Sequence, residues 1–249
     1  MATFSLLQES LTAKISREAL EEASTGVRSV ARADCARMSR DLFGIVVSGL
    51  PLDEANAFQA ALKSHGFATH VVADAEIPLL HEAFTIQRIA LAENALIITD
   101  AMGRETHRPL DELVFLAGGF LTREKVASKL VLQAPDAWER DSFPVPRHES
   151  RRVTEDFSEF RLDFFFSTAM HRLRATVSTE AMMFFRDRPV RPRDTALLLG
   201  AMMDLRELLP PDRISEGLKQ PDTKTYYPSL QSYEEEIRWH FHGFKSGRG

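Results

Sequence analysis

Four arginines lie close together in the sequence and have the chemistry to bind an anion. They fall within the eight residues from 186 to 193, as Arg186, Arg188, Arg191 and Arg193. Guanidinium groups bind phosphate or carboxylate through paired donors, and a predicted helix, whose N-terminal amides attract anions, follows directly. Asp187 and Asp194 lie among the arginines, so pairing within the loop is the alternative. We predict that an anionic small ligand, if one binds, binds these four arginines.

A second group that could do chemistry is the pair His240 and His242, which flank Phe241. Two histidines in this spacing point to the same side only in a strand, and zinc would need two more ligands. No cysteine lies nearby in the sequence, and no matching histidine pair occurs elsewhere in it. We therefore predict no metal site and no cofactor, and we expect these histidines to have packing or surface roles.

Sequence signatures of enzymes are missing from the chain. Gly44 and Gly49 precede a predicted helix, but they do not form G-x-G-x-x-G, and Asp53 and Glu54 at the helix start would repel a phosphate. No G-x-S-x-G, H-E-x-x-H, Walker or C-x-x-C pattern occurs in the sequence. The sequence predicts no catalytic residue.

Composition excludes several classes of protein. The formal net charge is −5 and the pI is near 5.9, which argues against broad nucleic-acid binding or binding to anionic membranes. Cys35 is the one cysteine of 249 residues, which fits a reducing compartment. No apolar run approaches the roughly eighteen residues of a membrane span, and the first residues lack the pattern of a signal peptide. We predict a soluble, cytoplasmic protein.

The first third of the chain is predicted to contain helices and a strand–helix–strand unit. Residues 4–23 have leucine, isoleucine and alanine at helical spacing. Residues 43–48 and 67–73 read as buried strands, and residues 52–64 between them read as a helix that Gly66 ends. A parallel crossover of this size is common.

The remainder is predicted to be mainly β. Ile86 to Phe120 reads as three short strands with turns at 93–94 and 102–103 and a break at Gly118-Gly119; residues 129–133 read as a fourth strand, and residues 135–152 as a long loop. Residues 160–177 alternate as a hairpin does, although residues 160–174 also fit helical spacing, and residues 182–185 read as a third strand. A helix over residues 194–209 is predicted to belong to the core and to end at Pro210-Pro211.

We predict an α+β fold, with an N-terminal helix and βαβ unit followed by an antiparallel, barrel-like or two-sheet β unit that a long helix closes. The predicted segments are 1–77, 78–213 with the closing helix, and a C-terminal tail at 214–249. From Ile86 onward, about seven strands precede the long helix, and this order resembles a pleckstrin-homology-type barrel. The resemblance implies a fold and no particular ligand.

Three functions remain open at this point. We favour a non-catalytic cytoplasmic protein that binds a partner protein or a small regulatory ligand. The alternative is an enzyme of unknown reaction with its site at the seam between the two halves, because pockets favour domain boundaries. The third is a purely structural subunit. A pocket with perturbed titratable groups would favour the enzyme, whereas an uncovered strand edge would favour the partner.

Overall fold

The computed structural model describes residues 2–133, 147–167, 172–220, 224 and 226–245, and for residues 125–133, 147–153 and 155 it describes the backbone alone. The chain is an α+β protein with two sheets and a C-terminal helix. The strands are β1 (Phe4–Gln8), β2 (Ile45–Leu50), β3 (Thr69–Ala73), β4 (Phe84–Leu91), β5 (Ala95–Asp100), β6 (Glu105–Pro109), β7 (Leu113–Gln133), β8 (Arg147–Phe166), β9 (Arg172–Val177), β10 (Met183–Phe185) and β11 (Arg188–Val190). The helices are α1 (Arg17–Ala23), α2 (Cys35–Asp41), α3 (Leu52–Ser64), α4 (Thr195–Arg206), α5 (Glu216–Lys219) and α6 (Leu230–Lys245).

The N-terminal sheet has the strand order β2-β1-β3, and β1 is antiparallel to both neighbours. Helix α3 connects β2 to β3, so the predicted strand–helix–strand unit is present with β1 inserted between its strands. Gly66 has a φ of +84° just after α3, as a C-capping glycine does. Helices α1, α2 and α3 cover one face of this sheet, where Leu6, Leu50 and Phe58 are buried together with Cys35.

The prediction of one helix over residues 4–23 is wrong. Phe4–Gln8 is strand β1, and the helix is limited to Arg17–Ala23, where the Ser16 hydroxyl caps it by accepting from the Ala19 amide. Leu6 and Leu7 are both buried, in clusters on opposite faces of the central strand. A strand that is buried on both faces shows no alternation of apolar and polar residues. Its leucines therefore matched the helical spacing of the next segment, and the prediction merged the two segments into one helix.

The second sheet has two wings that share β4. The predicted three-stranded meander is confirmed, since β4 pairs with β5 and β5 with β6 through turns at the predicted positions. The other edge of β4 pairs with β9 near Phe84 and with β10 near Arg88. The described strands therefore form an open, forked sheet with edges at β6, β7 and β11. The predicted α+β class is confirmed, and the described strands of the β unit form one forked sheet and no closed barrel of the pleckstrin-homology type.

Strands β7 and β8 form a ribbon that is much longer than the rest of the sheet. Their pairing runs from Leu113–Phe166 to Gln133–Arg147, whereas β9 pairs with β8 only as far as Phe160. The predicted break at Gly118-Gly119 is wrong, because β7 continues through both glycines. A Cβ on Gly118 would lie 3.0 Å from the Leu218 side chain, so glycine permits the close approach of α5.

Two other predictions about this region need correction. Residues 129–133 are the end of β7 and not a separate strand, and the predicted loop over residues 135–152 overlaps β8, which begins at Arg147. Residues 134–146 lie outside the described part of the chain. The strand prediction for residues 160–177 is confirmed by β8 and β9, and the helical alternative is wrong.

Helix α4 is a core element, as predicted. Leu198, Ala201, Met202 and Leu205 are buried against the face of the sheet that carries Leu162 and the other apolar residues of β8 and β9. The two leucines after the helix, Leu208 and Leu209, pack at the edge of the same cluster.

Helix α6 lies between the two sheets. Tyr233, Ile237 and Phe241 pack on the second sheet beside Phe115 and Phe165, while Trp239 packs against Leu7 and its neighbours in the N-terminal sheet. The Ser232 hydroxyl also donates to the Asp41 carbonyl. Among the described residues, α6 and the other helices are too short or too polar to cross a membrane.

Candidate functional site

A cavity of about 310 Å³ opens where the two sheets meet. We call it the seam cavity. Its walls come from the end of β1 and the residues after it, from His70 on β3, from the α5 segment and from the C-terminal half of α6. Its lining residues are Leu7, Gln8, Glu9, Ser10, Leu11, Thr12, His70, Asp212, Glu216, Lys219, Trp239, His240, His242, Gly243 and Phe244. This volume is enough for a small metabolite.

The α6 wall is held by Trp239. Its indole Nε1 donates to the Gln8 carbonyl at 2.7 Å, and its ring lies against Gly44. Gly44 has a φ of +87°, and a Cβ there would lie 2.6 Å from the Trp239 side chain. Glycine is required at this position both for the left-handed backbone and for the close approach of the indole. Gly44 therefore has a packing role.

The α5 wall is fixed to both the second sheet and α6. The Glu216 amide donates to Glu236 Oε1 at 2.6 Å, and the Gly217 amide donates to the Tyr227 hydroxyl at 3.2 Å. A Cβ on Gly217 would lie 2.5 Å from the Gly118 carbonyl oxygen. Because two glycines and the buried side chains of Glu236 and Tyr227 set this contact, Glu216 and Lys219 have a defined position at the cavity.

One histidine–carboxylate contact and one ion pair lie at the cavity wall. His70 Nε2 lies 3.1 Å from Glu9 Oε1, and Lys219 Nζ lies 2.6 Å from Glu216 Oε1. The side chains of the second pair are the more buried. Asp212 adds a third carboxylate to the lining. With neutral imidazoles, three carboxylates against one ammonium give the lining a formal charge of −2.

His240 is a buried residue of this wall. It is 6% exposed, and its ring lies among the rings of Phe115, Trp239 and Phe244 at centroid distances of 4.8, 5.0 and 6.3 Å. Its Nε2 lies 3.6 Å from Glu236 Oε1, which exceeds hydrogen-bond distance. His240 Nε2 has no hydrogen-bond partner among the described residues, which is rare for a buried polar atom.

Glu236 is fully buried directly behind His240. Its Oε1 accepts from the Glu216 amide, whereas its Oε2 has no hydrogen-bond partner among the described residues. Burial raises the pKa of Tyr226 and Tyr227, and the nearby Glu236 carboxylate raises both pKa values further. The seam cavity is thus backed by an acidic group that the protein leaves only partly satisfied.

A second cavity, of about 320 Å³, lies beside the N-terminal half of α6. It is lined by α2, β2 and two α6 residues, Gln231 and Glu235. Burial raises the pKa of Glu235 to about 7, although the hydrogen bond from Gln231 and the charge of Arg238 lower it. Glu235 can therefore change its charge near neutral pH.

A buried ion network lies between the second sheet and α6. Asp163 on β8 is fully buried and accepts hydrogen bonds from Arg172 and Arg174 on β9, at 2.8 to 3.0 Å. Arg172 also lies 3.1 Å from Glu234 on α6. Burial by itself would raise the pKa of Asp163, but the hydrogen bonds and charges of the two arginines outweigh it and hold that pKa below its usual value. We call these four residues the Asp163 network.

The four arginines from the sequence do not form one cluster. Arg186 and Arg188 line a groove beside α4, where Arg186 lies 3.1 Å from Asp204. Arg191 and Arg193 line a different groove with residues 178–182. Asp187 pairs with Arg88 on β4 at 2.6 Å, and Asp194 accepts from the backbone amide of Arg191. The anionic-ligand hypothesis for this loop stays a prediction.

Several residues of the seam cavity escaped sequence reasoning. His240 and His242 were identified from the sequence, but they lie on α6 and not on a strand. Side chains two positions apart on a helix point in different directions. Glu9, His70 and Glu216 lie far apart in the sequence and carry no motif. A pocket was expected at the seam between segments 1–77 and 78–213, whereas the cavity lies mainly between the first segment and residues 212–244. Within the described residues, no group of three or more potential metal ligands occurs.

Comparison with protein-family models, with curated proteins and with solved structures finds no match.

Proposed function

We propose that this protein binds a small molecule in the seam cavity and does not transform it. The observation that supports this proposal most directly is His240, a buried side chain of the cavity wall whose Nε2 has no hydrogen-bond partner among the described residues. Buried polar atoms are nearly always paired, and leaving one unpaired costs roughly 1–3 kcal/mol. A ligand that supplies the missing partner would recover that free energy on binding.

The position of the cavity supports a regulatory role. Its walls include residues 7–12 and His70 of the N-terminal unit, and also Glu216 and His240, which are fixed to the second sheet. A ligand in contact with both units stabilises the arrangement in which they are joined. By linkage, it favours that arrangement over any in which the units are apart. The expected cytoplasmic location is part of this proposal and derives from the single cysteine.

A substitution that fills the cavity tests this proposal. Gly243 lines the cavity on α6, and a Cβ there meets no atom within 4 Å, so Gly243→Leu places a side chain in open space. Gly200→Leu is the matched control, because Gly200 lies on α4, lines a separate groove and also has open space around it.

The measurement is thermal shift against a panel of cellular amines, carboxylates, phosphates and sugars. We expect at least one class to raise the melting temperature of the wild type and of Gly200→Leu, and not that of Gly243→Leu. An equal response in all three proteins, or no response to any class, would contradict the proposal. Turnover of the bound compound would show that the enzyme alternative is right.

Binding of a protein partner is a second candidate function, and the β7–β8 ribbon is the observation that favours it. Beyond Leu121 and Phe160, no third strand pairs with the described backbone of the ribbon. Uncovered edges of this kind accept strands from other proteins. Joining Arg123 to Phe157, which are paired across the ribbon, through an Asn-Gly turn would remove the extension. A partner protein that can be cross-linked to the full chain should not be cross-linked to this variant. The melting temperature of the variant should be nearly that of the full chain.

A further inference from the structure

We infer that the ligand of the seam cavity is a small organic ammonium ion. This inference rests on the proposed function, since it names the chemical class of molecule that the same cavity accepts. Three features favour an organic cation: the charge of the lining, its aromatic rings and the buried Nε2 of His240, which has no hydrogen-bond partner among the described residues.

The charge of the lining attracts a cation. Glu9, Asp212 and Glu216 bring three carboxylates, and Lys219 is the single ammonium group among the lining residues. Lys219 is already paired with Glu216 at 2.6 Å, so it offers little to an anionic ligand. Glu236 adds a further buried carboxylate directly behind the wall. An anion in this cavity would face the three carboxylates of the lining, with Glu236 behind them, whereas an ammonium ion would be stabilised by these groups.

The aromatic rings favour an organic cation over a hydrated metal ion. Trp239 and Phe244 both line the cavity, and the Trp239 indole is fixed by its hydrogen bond to the Gln8 carbonyl. The faces of aromatic rings attract alkylammonium groups, and tryptophan does so most strongly. Such a ligand also buries its methyl or methylene groups against the rings.

The buried Nε2 of His240 favours a ligand that donates hydrogen bonds. A neutral His240 can accept through Nε2, and this atom has no hydrogen-bond partner among the described residues. Its contact with Glu236 Oε1 is at 3.6 Å, which is too long for a hydrogen bond. A primary ammonium that reaches Nε2 can donate a hydrogen bond to the imidazole.

Trp239 fluorescence provides the measurement. The chain has two tryptophans, so the experiment uses the full chain with Trp138→Phe, which leaves Trp239 as the only indole. The ligands are butylammonium and tetramethylammonium, with 1-butanol, tert-butanol and butyrate as uncharged and anionic counterparts of similar size. We expect saturable changes for the two ammonium ions, and binding at least about tenfold weaker for the other three.

Two substitutions locate the charge requirement. Glu216→Gln and Glu9→Gln should each weaken butylammonium binding by about tenfold. Glu105→Gln is the matched control, because Glu105 forms a similar pair with His107 at 3.0 Å on the distant strand β6, and it should leave binding unchanged. Circular dichroism and the melting temperature establish that each variant is folded.

The outcomes separate this inference from the proposed function. Binding of butyrate or of an alcohol as tight as that of butylammonium, abolished by Gly243→Leu, would overturn the ammonium assignment and leave small-molecule binding in place. No response of Trp239 or of the melting temperature to any compound, including the wider panel described above, would overturn both. Equal weakening by Glu105→Gln and Glu216→Gln would also overturn the assignment, because it would place the effect outside the cavity.

Discussion

The two faces of the sheet formed by β7, β8 and β9 are covered by helices of different character. The face under α4 is apolar from Phe160 to Phe166 on β8 and along β9: Phe160, Leu162, Phe164, Phe166, Leu173, Ala175 and Val177. The face under α6 carries charged residues at the alternating positions: Arg161, Asp163, Arg172 and Arg174. Both faces are buried, so the difference is not one of exposure to water.

This difference separates two kinds of stabilisation. Apolar contacts under α4 are non-directional, and their free energy depends mainly on the area and volume that they fill. Charges under α6 are stabilising only while each keeps its partner. The α4 face should therefore tolerate conservative substitution, whereas the α6 face fixes one orientation of its helix. Because α6 also carries the seam cavity, that orientation determines the geometry of the site.

Asp163→Ala should cause the largest loss of stability, because it disrupts the charged face under α6. It leaves Arg172 and Arg174 buried without their main partner, and removal of one member of a buried pair costs about 3–5 kcal/mol. The measurement is the free energy of unfolding in urea. The control is Asp187→Ala, because the Arg88–Asp187 pair is exposed and such pairs contribute roughly 0–1 kcal/mol.

A triple replacement sharpens this prediction. Asp163→Leu together with Arg172→Met and Arg174→Leu should recover most of the stability that Asp163→Ala loses, because an apolar set can replace a buried ion network. If Asp163→Ala were no worse than Asp187→Ala, the two faces would not differ in the way described.

Leu205→Ala tests the α4 face. Leu205 is completely buried in the larger core cluster, and truncation of such a leucine costs about 2–5 kcal/mol. Leu205→Met should cost less than about 1.5 kcal/mol, since the volume is nearly kept. Met203→Ala is the control on the same helix, because Met203 is 55% exposed. An unchanged urea midpoint for Leu205→Ala would show that α4 is peripheral.

Gly44→Ala tests the contact that holds α6 on the N-terminal sheet. The substitution forces a left-handed backbone on alanine and places its Cβ 2.6 Å from Trp239, for a combined cost of about 2–4 kcal/mol. Gly49→Ala shares the positive φ but meets open space, so it should cost only about 1 kcal/mol. If the two variants lowered the melting temperature equally, Trp239 would have to move away from the new Cβ at no cost in free energy.

Glu235 should have the smallest effect on stability, and this effect depends on pH. Its pKa in the folded protein is about 7, above the value near 4.3 that an unfolded chain has. The folded state therefore binds more protons between these pH values, and stability falls as pH rises through the window. We expect a loss on the order of 1–2 kcal/mol between pH 5 and pH 8. Glu235→Gln should remove that part of the dependence, whereas an unchanged slope would contradict the raised pKa.

The sequence predicted those elements whose apolar residues meet a single surface. Helix α4 and the meander β4–β6 fall into this class, and so does α3 with its capping Gly66. β1 was missed because Leu6 and Leu7 are buried on opposite faces, which removes the alternation that marks a strand. The glycine pair in β7 was misread as a break because the reason for it, Leu218 and Tyr227, lies about a hundred residues away.

The site was less predictable than the fold. Asp163 interrupts an apolar run, and nothing local indicates that Arg172 and Arg174 will enclose it. Similarly, Glu9 and Glu216 meet at one cavity only because α6 brings β1 and α5 together. Local spacing reports which face of an element is apolar, whereas the meeting of distant polar residues depends on the whole topology. Neither the position of the cavity, between residues 7–70 and residues 212–244, nor its lining followed from local spacing.

The insertion of Trp239 over Gly44 has a consequence for the synthesis of the chain on the ribosome. Strands β1, β2 and β3 and the three helices that cover their first face are translated early, so this unit can begin to fold during synthesis. The opposite face, with Leu7, Ile45 and Val72, receives Trp239 only from α6, which is translated long afterwards. Until then this apolar surface is open to chaperones or to other nascent chains. If translation stops before α6, the N-terminal unit has one apolar face covered by helices and the opposite apolar face exposed, so it is prone to associate with other proteins.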